Sequence, residues 1–207
     1  MIGIVDYGSG NIQAIANIYK RLNIDCKIIN NPAELETADK LILPGVGAFD
    51  ECMKQLLESG LKDKLDELAL IKKIPILGIC IGMHIMADSS EEGNLKGLGW
   101  IKGKVKKFDI SLIKSKPYLP HMGWNNISDT NNHKIFDKVD KEQGFYFVHS
   151  YYYECNEAKN VLSTCNYGIN FASSIYDHHI FGMQFHPEKS HSNGIQLLEN
   201  FAKLELC

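Results

Sequence analysis

An α/β fold built on a mainly parallel central sheet flanked by helices, with additional antiparallel strands in the C-terminal half, is the class this sequence predicts. Three observations predict it. Short apolar runs alternate with amphipathic segments through the first half, the pattern of parallel strands joined by crossover helices. Asp6, Pro44 to Gly47 and Cys80 fall where those runs end, which is where open α/β sheets place their ligands. From Trp100 onward the texture changes to shorter strands with turn residues between them.

Ile2 to Val5 form a first strand ending at Asp6, and Tyr7-Gly8-Ser9-Gly10-Asn11 is a loop into a helix. Ile12, Ile15, Ile18 and Leu22 give that helix one apolar face at helical spacing. Cys26 to Ile29 and Lys40 to Leu43 are two more strands, the second closing on Pro44-Gly45-Val46-Gly47. A helix starting near Ala48 carries Phe49, Met53, Leu56 and Leu57 inward, and another spans Leu61 to Ile71. The apolar stretch Ile74 to Leu77 is the next strand. Strands over Gly99 to Phe108, Gly144 to Tyr153 and Val161 to Thr164 follow, then a hairpin with His178 and His179 at its tip. A final helix, Gly194 to Leu204, presents Ile195, Leu198, Phe201 and Ala202 on one side.

The 207 residues suit one domain, 1–207, large enough to bury a full sheet without disulfide staples. A net charge of -3 with interspersed signs offers no polybasic block, so neither nucleic acid nor an anionic membrane is the expected partner. Lys102, Lys104, Lys106 and Lys107 read as a solvated strand face. There is no cationic leader before Ile2 and no apolar run of membrane-spanning length, which makes the cytoplasm the expected location. Cys26, Cys52, Cys80, Cys155, Cys165 and Cys207 show no C-x-x-C pair or Cys/His metal spacing. They read as free thiols in a reducing compartment, with no metal or cofactor implied.

Gly78-Ile79-Cys80-Ile81-Gly82-Met83 reads as a strand that turns sharply at a nucleophile and becomes a helix. Alone, the same run also fits an inert buried cysteine. A second half of the site lies downstream at His186-Pro187-Glu188. Alternate residues of an extended segment face the same way, and Pro187 biases His186 out of the helical region, so Glu188 can orient the imidazole. Cys80, His186 and Glu188 together are an arrangement for acyl transfer through a thioester.

Such a reaction needs N–H donors for an oxyanion, and the candidates are the amide of Ile81 and one from Val46 or Gly47. The Pro44 to Gly47 loop fits a plain strand-to-helix turn equally well. Ser89-Ser90-Glu91-Glu92-Gly93 reads as a solvated helix end, although Glu92 would suit the ammonium group of an amino-acid substrate. Trp124, in Pro120-His121-Met122-Gly123-Trp124-Asn125, fits either a core or a partner surface.

With these motifs, together with Phe147-Val148-His149-Ser150-Tyr151 and Gln184-Phe185-His186-Pro187-Glu188-Lys189-Ser190, the chain resembles the class I (triad) glutamine amidotransferases over nearly its whole length. The resemblance implies a flavodoxin-like fold that hydrolyses glutamine to glutamate and ammonia. Cys80 would be nucleophile, His186 base then acid, and Glu188 its orienting partner. It further implies glutamine contacts at Gly47, Glu92 and the backbone of His149, Ser150 and Tyr151, and a partner-facing surface at Asn11, Trp124 and Lys189. The family's elbow helix usually continues Met-Gln where this chain has Met83-His84; a residue here contacts the substrate's main-chain groups, and His84 keeps a donor while adding pH sensitivity.

In the branch this chain is most similar to, the partner is a (β/α)8-barrel synthase of histidine biosynthesis, docked as a heterodimer. Paralogues there supply ammonia to sugar amidotransferases in surface-glycan synthesis. Chemistry argues separately for an acceptor enzyme. Free ammonia at neutral pH is mostly ammonium, and the chain carries no P-loop or dinucleotide fingerprint that could use it. Two other classes stay open: a cysteine hydrolase without a docking surface, and a binding scaffold.

Overall fold

The computed structural model describes residues 1–114, 117–129, 132–140 and 142–205. Thirteen strands and five α-helices are found among them. The strands of the first half are β1 (Ile2–Val5), β2 (Cys26–Ile29), β3 (Lys40–Gly45) and β4 (Ile76–Cys80), interleaved with α1 (Ile12–Arg21), α2 (Phe49–Glu58) and α3 (Lys62–Asp66). After β4 come α4 (Ile81–His84), β5 (Ser89–Ser90), β6 (Gly103–Lys107), β7 (His121–Asn125) and β8 (Ser128–Asp129). The chain closes with β9 (Phe145–His149), β10 (Tyr151–Cys155), β11 (Val161–Tyr167), β12 (Ile169–Asp177), β13 (Ile180–Met183) and α5 (His191–Lys203).

One large sheet runs β2-β1-β3-β4-β13-β12-β10-β6-β5, with β11 and β8 joined at β12. Its first five strands are parallel. Their order is that of flavodoxin-like sheets, so the carboxyl ends of β1 and β3 form a crevice between connections that leave on opposite faces. β4 lies next to β3, with Gly45 opposite Cys80. Antiparallel pairing through β12, β10 and β6 extends the sheet beyond β13, β5 adds to β6 in parallel, and β7 pairs with β9 in a separate two-stranded sheet.

The inner parallel strands are buried on both faces, as expected of a sheet covered by crossover helices: β1, β4 and β13 are buried throughout, while the edge strand β2 is partly exposed. Ile15, Ile18 and Tyr19 of α1, and Phe49, Met53 and Leu56 of α2, complete that core. Leu57, expected inward, is 50% exposed, because it falls one position past the face that holds Met53 and Leu56. The helix expected over Leu61 to Ile71 is α3 followed by a π turn, Glu67–Ile71, which leaves Leu70 and Ile71 exposed.

Gly144 to Tyr153, expected as one strand, is two. β9 belongs to the small sheet and β10 to the large one, with Ser150 as the joint. Alternation along the run cannot reveal that its hydrogen-bonding partners change. The final helix starts three residues before Gly194, since Gly194 packs against the Pro187 carbonyl rather than beginning a turn. β6 alternates buried Gly103 and Val105 with its lysines, and Lys106 pairs with Glu154 at 2.7 Å. Cys26, Cys52, Cys80, Cys155 and Cys165 are free thiols, and Cys207 lies outside the described residues. Among the described residues no helix is long and apolar enough to cross a membrane.

Candidate active site

Cys80 ends β4 and caps α4 with φ 54° and ψ -113°, a conformation strained for a residue with a Cβ. The flanking glycines serve close packing rather than the turn itself, since neither has a positive φ. A Cβ on Gly82 would sit 1.8 Å from the Leu43 carbonyl oxygen, and one on Gly78 would sit 2.6 Å from that of Gly82. Only glycines let α4 lie directly on β3 and β4, and the strain is concentrated on the thiol-bearing residue.

β13 runs parallel to β4 and delivers His186 just beyond its end. There the His186 amide donates to the Tyr146 carbonyl at 2.9 Å. Ser190 Oγ donates to the His186 carbonyl at 2.6 Å and accepts from the Tyr146 amide at 3.0 Å, closing the turn. His186 Nδ1 is 2.8 Å from Glu188 Oε1, both side chains being 2% exposed. The same carboxylate oxygen accepts from Asn11 Nδ2 at 2.7 Å. Burial disfavours charge on His186, but the neighbouring Cys80 and the hydrogen bond to Glu188 outweigh it, and its pKa is raised. Glu188 is pushed up by burial and drawn down further by His186 and Asn11, so that it stays a carboxylate. His186 Nε2 closes no hydrogen bond, which leaves it free to exchange a proton with Cys80 on the same cavity.

Cys80 and His186 open on a cavity of about 410 Å³ whose lining also includes Val46, Gly47, Ile81, His84 and Glu92. Pro120, Val148, His149, Ser150, Tyr151 and Lys189 complete the lining. All eight residues expected at an oxyanion or substrate site, Val46, Gly47, Ile81, His84, Glu92, His149, Ser150 and Tyr151, are thus brought to one cavity. Glu92 is not on a solvated helix end. It follows β5, accepts from the Phe49 amide at the start of α2 at 3.0 Å, and is half-buried, so that burial raises its pKa.

Val46 is held away from the role of donor. Its amide donates to Ser9 Oγ at 3.0 Å, and its carbonyl accepts from Ser9 Oγ at 3.0 Å and from Cys52 Sγ at 3.2 Å. Tyr7 OH donates to the Pro44 carbonyl at 2.7 Å. Gly47 has φ 98° with open space where a Cβ would project. Sequence reasoning missed Ser9, Cys52 and Tyr7. The signal was available in the position of the Tyr7 to Asn11 loop, which the β1 and β3 ends bring beside Pro44 to Gly47.

His84 is buried, with Nε2 2.6 Å from Gln184 Oε1, and its Nδ1 has no protein partner, nor has Gln184 Nε2. Burial lowers its pKa to about 4, so the pH sensitivity expected of it does not fall near neutrality. Of the three residues expected to face a partner, Trp124 is 44% exposed and stacks on His191, and Lys189 is exposed with its Nζ over the Tyr146 ring. Asn11 turns its amide to Glu188, so its side chain belongs to the Cys80 cluster. The arrangement as a whole can form and break an acyl bond to sulfur, with a carboxylate at hand for an ammonium group.

Residues 3–204 match the family model described as glutamine amidotransferase class-I. A Leptospira interrogans protein named imidazole glycerol phosphate synthase subunit HisH is 50% identical over 204 residues, covering 99% of this chain and 100% of the relative. Its namesake from Leptospira borgpetersenii is 48% identical over 204 residues, with the same coverage. The solved structure of PurLQS from Thermotoga maritima superposes with a TM-score of 0.71 at 15% identity, covering 98% of this chain and 96% of that one, a likeness of fold.

Proposed function

Since the chain belongs to the class I glutamine amidotransferases, we propose that it is the glutaminase subunit of an imidazole glycerol phosphate synthase. In this reading it hydrolyses L-glutamine and hands ammonia to a HisF-type (β/α)8-barrel protein, as one domain of a cytoplasmic heterodimer. The observation that carries the reading is the convergence of Cys80 and His186 on one cavity, with Glu188 bonded behind His186, in a chain whose full-length relatives at 48–50% identity are named HisH. The exposed Met122 and Trp124 of β7, with Lys189, support a docking face beside that cavity.

Cys80 passes its thiol proton to His186 Nε2 as Sγ attacks the side-chain carboxamide carbon, and the negative charge moves to the carboxamide oxygen. The Ile81 amide at the start of α4 meets that oxygen, and a second donor comes from the Val46–Gly47 peptide once the Ser9 clasp opens. His186 gives its Nε2 proton to the departing nitrogen, which leaves as ammonia, and a γ-glutamyl thioester remains. His186 then takes a proton from water, which attacks the thioester and releases glutamate. Glu188, fixed by Asn11, keeps the imidazole aligned through both steps, and Glu92 receives the α-ammonium.

A second reading has the ammonia go to a sugar amidotransferase instead, and His84 in place of the family's glutamine is the observation that favours it. Incubating the purified chain with L-glutamine and a HisF-type synthase separates the two. Imidazole glycerol phosphate formed from glutamine supports the first reading. Glutamate release without that product, restored to coupling only by a sugar-modifying enzyme, supports the second, and no glutamate under either condition rejects both.

A further inference from the structure

His121 is a buried polar residue that the reaction above leaves unused. It opens β7, is 3% exposed, and lies between the Phe147 ring at 4.8 Å and the Tyr167 ring at 4.2 Å, stacked on both. Its Nδ1 is 2.9 Å from His149 Nε2, and His149 Nδ1 is 2.8 Å from the Tyr151 carbonyl oxygen. Asn125 Nδ2 is 3.2 Å from His121 Nε2.

The far end of this row fixes every proton in it. A carbonyl oxygen only accepts, so His149 Nδ1 carries a hydrogen and donates. Neutral His149 then accepts at Nε2, His121 Nδ1 donates to it, and His121 Nε2 accepts from the Asn125 amide. A second proton on either ring would set two donors face to face. Burial also opposes such a proton, lowering the His121 pKa to about 4 and the His149 pKa well below its ordinary value.

The row terminates in the joint between the two sheets, and His149, Ser150 and Tyr151 of that joint line the cavity. The Ser150 carbonyl is also engaged, accepting from the Phe108 amide at 3.2 Å. With both carbonyls tied into the wall, the acceptors of the joint are turned away from a bound ligand. A carboxylate needs N–H donors, and an inward carbonyl would repel it.

We propose that His121 is a positioning residue for the α-carboxylate of glutamine, acting through His149 to hold the carbonyl oxygen of Tyr151 out of the cavity, beside the Ser150 carbonyl that Phe108 holds. This rests on the glutaminase reading and assigns a task to a side chain that does not touch the substrate. It makes the contribution of the α-carboxylate, rather than thiol reactivity, the quantity that depends on His121.

The test compares kcat/KM for L-glutamine with kcat/KM for 4-aminobutanamide, which has the same reacting amide and an amine but no carboxylate. The full chain is used with its synthase partner. The ratio of the two constants does not depend on the fraction of folded enzyme. His121→Phe keeps the stacking and removes both nitrogens; it lowers the ratio about tenfold through the KM for glutamine and leaves 4-aminobutanamide nearly unchanged. His121→Asn places an amide nitrogen where Nδ1 stood and recovers most of the ratio. Should His121→Phe not fold, His121→Gln, whose amide sits one methylene too far out, lowers the ratio in the same way. Equal losses on both substrates, an unchanged ratio, or failure of His121→Asn to recover it overturns the proposal. Absence of glutamine hydrolysis by the unaltered chain overturns the glutaminase reading instead.

Discussion

The strand ends that carry Cys80 and Val46 lie side by side, as β4 and β3, and they differ in what holds them. Around Cys80 each polar contact points into the reaction: Glu188 on His186, Asn11 on Glu188, and Ser190 locking the turn. Around Val46 the contacts point away from it. Ser9 occupies both the amide and the carbonyl of that residue, Cys52 adds a third contact, and Val46 itself is 41% exposed. The nucleophile is therefore assembled in the free chain, whereas its oxyanion donors are only partly so. A few hydrogen bonds on a glycine-flanked loop are weak enough for a docked partner to exchange them for its own contacts.

The largest expected effect breaks the assembled side. Cys80→Ala lowers glutamine hydrolysis by about 10⁴-fold or more, while the synthase complex supplied with ammonium salts keeps its turnover. The next loosens the clasped side. Ser9→Ala raises glutamate release by the partner-free chain roughly thirtyfold, because two hydrogen bonds of about 1 kcal/mol each no longer oppose the change of the Val46 peptide. A fall in partner-free turnover would mean that Ser9 supports the active loop instead.

How legible was this contrast in the amino-acid order? Cys80, His186 and Glu188 announce themselves by local spacing, since an elbow and a His-x-Glu pair are each fixed within a few residues. The parallel half of the sheet was legible for the same reason, through runs such as Ile2 to Val5 and Lys40 to Leu43, the second of which the structure extends to Gly45. What escaped depends on contacts between distant segments. Asn11 reaches Glu188 across 177 positions and Ser9 reaches Val46 across 37, and neither residue type names its partner. The split of Gly144 to Tyr153 between two sheets escaped because strand alternation records which face is buried, not which neighbour is bonded.

Two smaller effects sharpen the picture of the ligand pocket. Burial raises the pKa of Glu92, so this carboxylate takes up its proton at a higher pH than an exposed glutamate does. The KM for glutamine accordingly begins to rise while the pH is still above the ordinary carboxylate range, approaching tenfold per unit below the Glu92 pKa, and Glu92→Gln flattens that limb. A flat KM in the unaltered enzyme would remove Glu92 from the ammonium site. Smallest is His84→Gln. It replaces the buried ring, whose Nδ1 lacks a protein partner, with a flexible amide that both donates and accepts, and lowers the KM for glutamine by about threefold with kcat unchanged.

The measurement that bears most directly on an assembled nucleophile beside a clasped loop pairs two rates on the same sample, with and without the (β/α)8-barrel partner. One is alkylation of Cys80 by iodoacetamide, followed by peptide mass; the other is glutamate release from glutamine. Alkylation unchanged by the partner, with glutamate release rising on the order of 10²-fold, is the predicted result. High glutamate release by the chain alone, unchanged when the barrel is added, would contradict it.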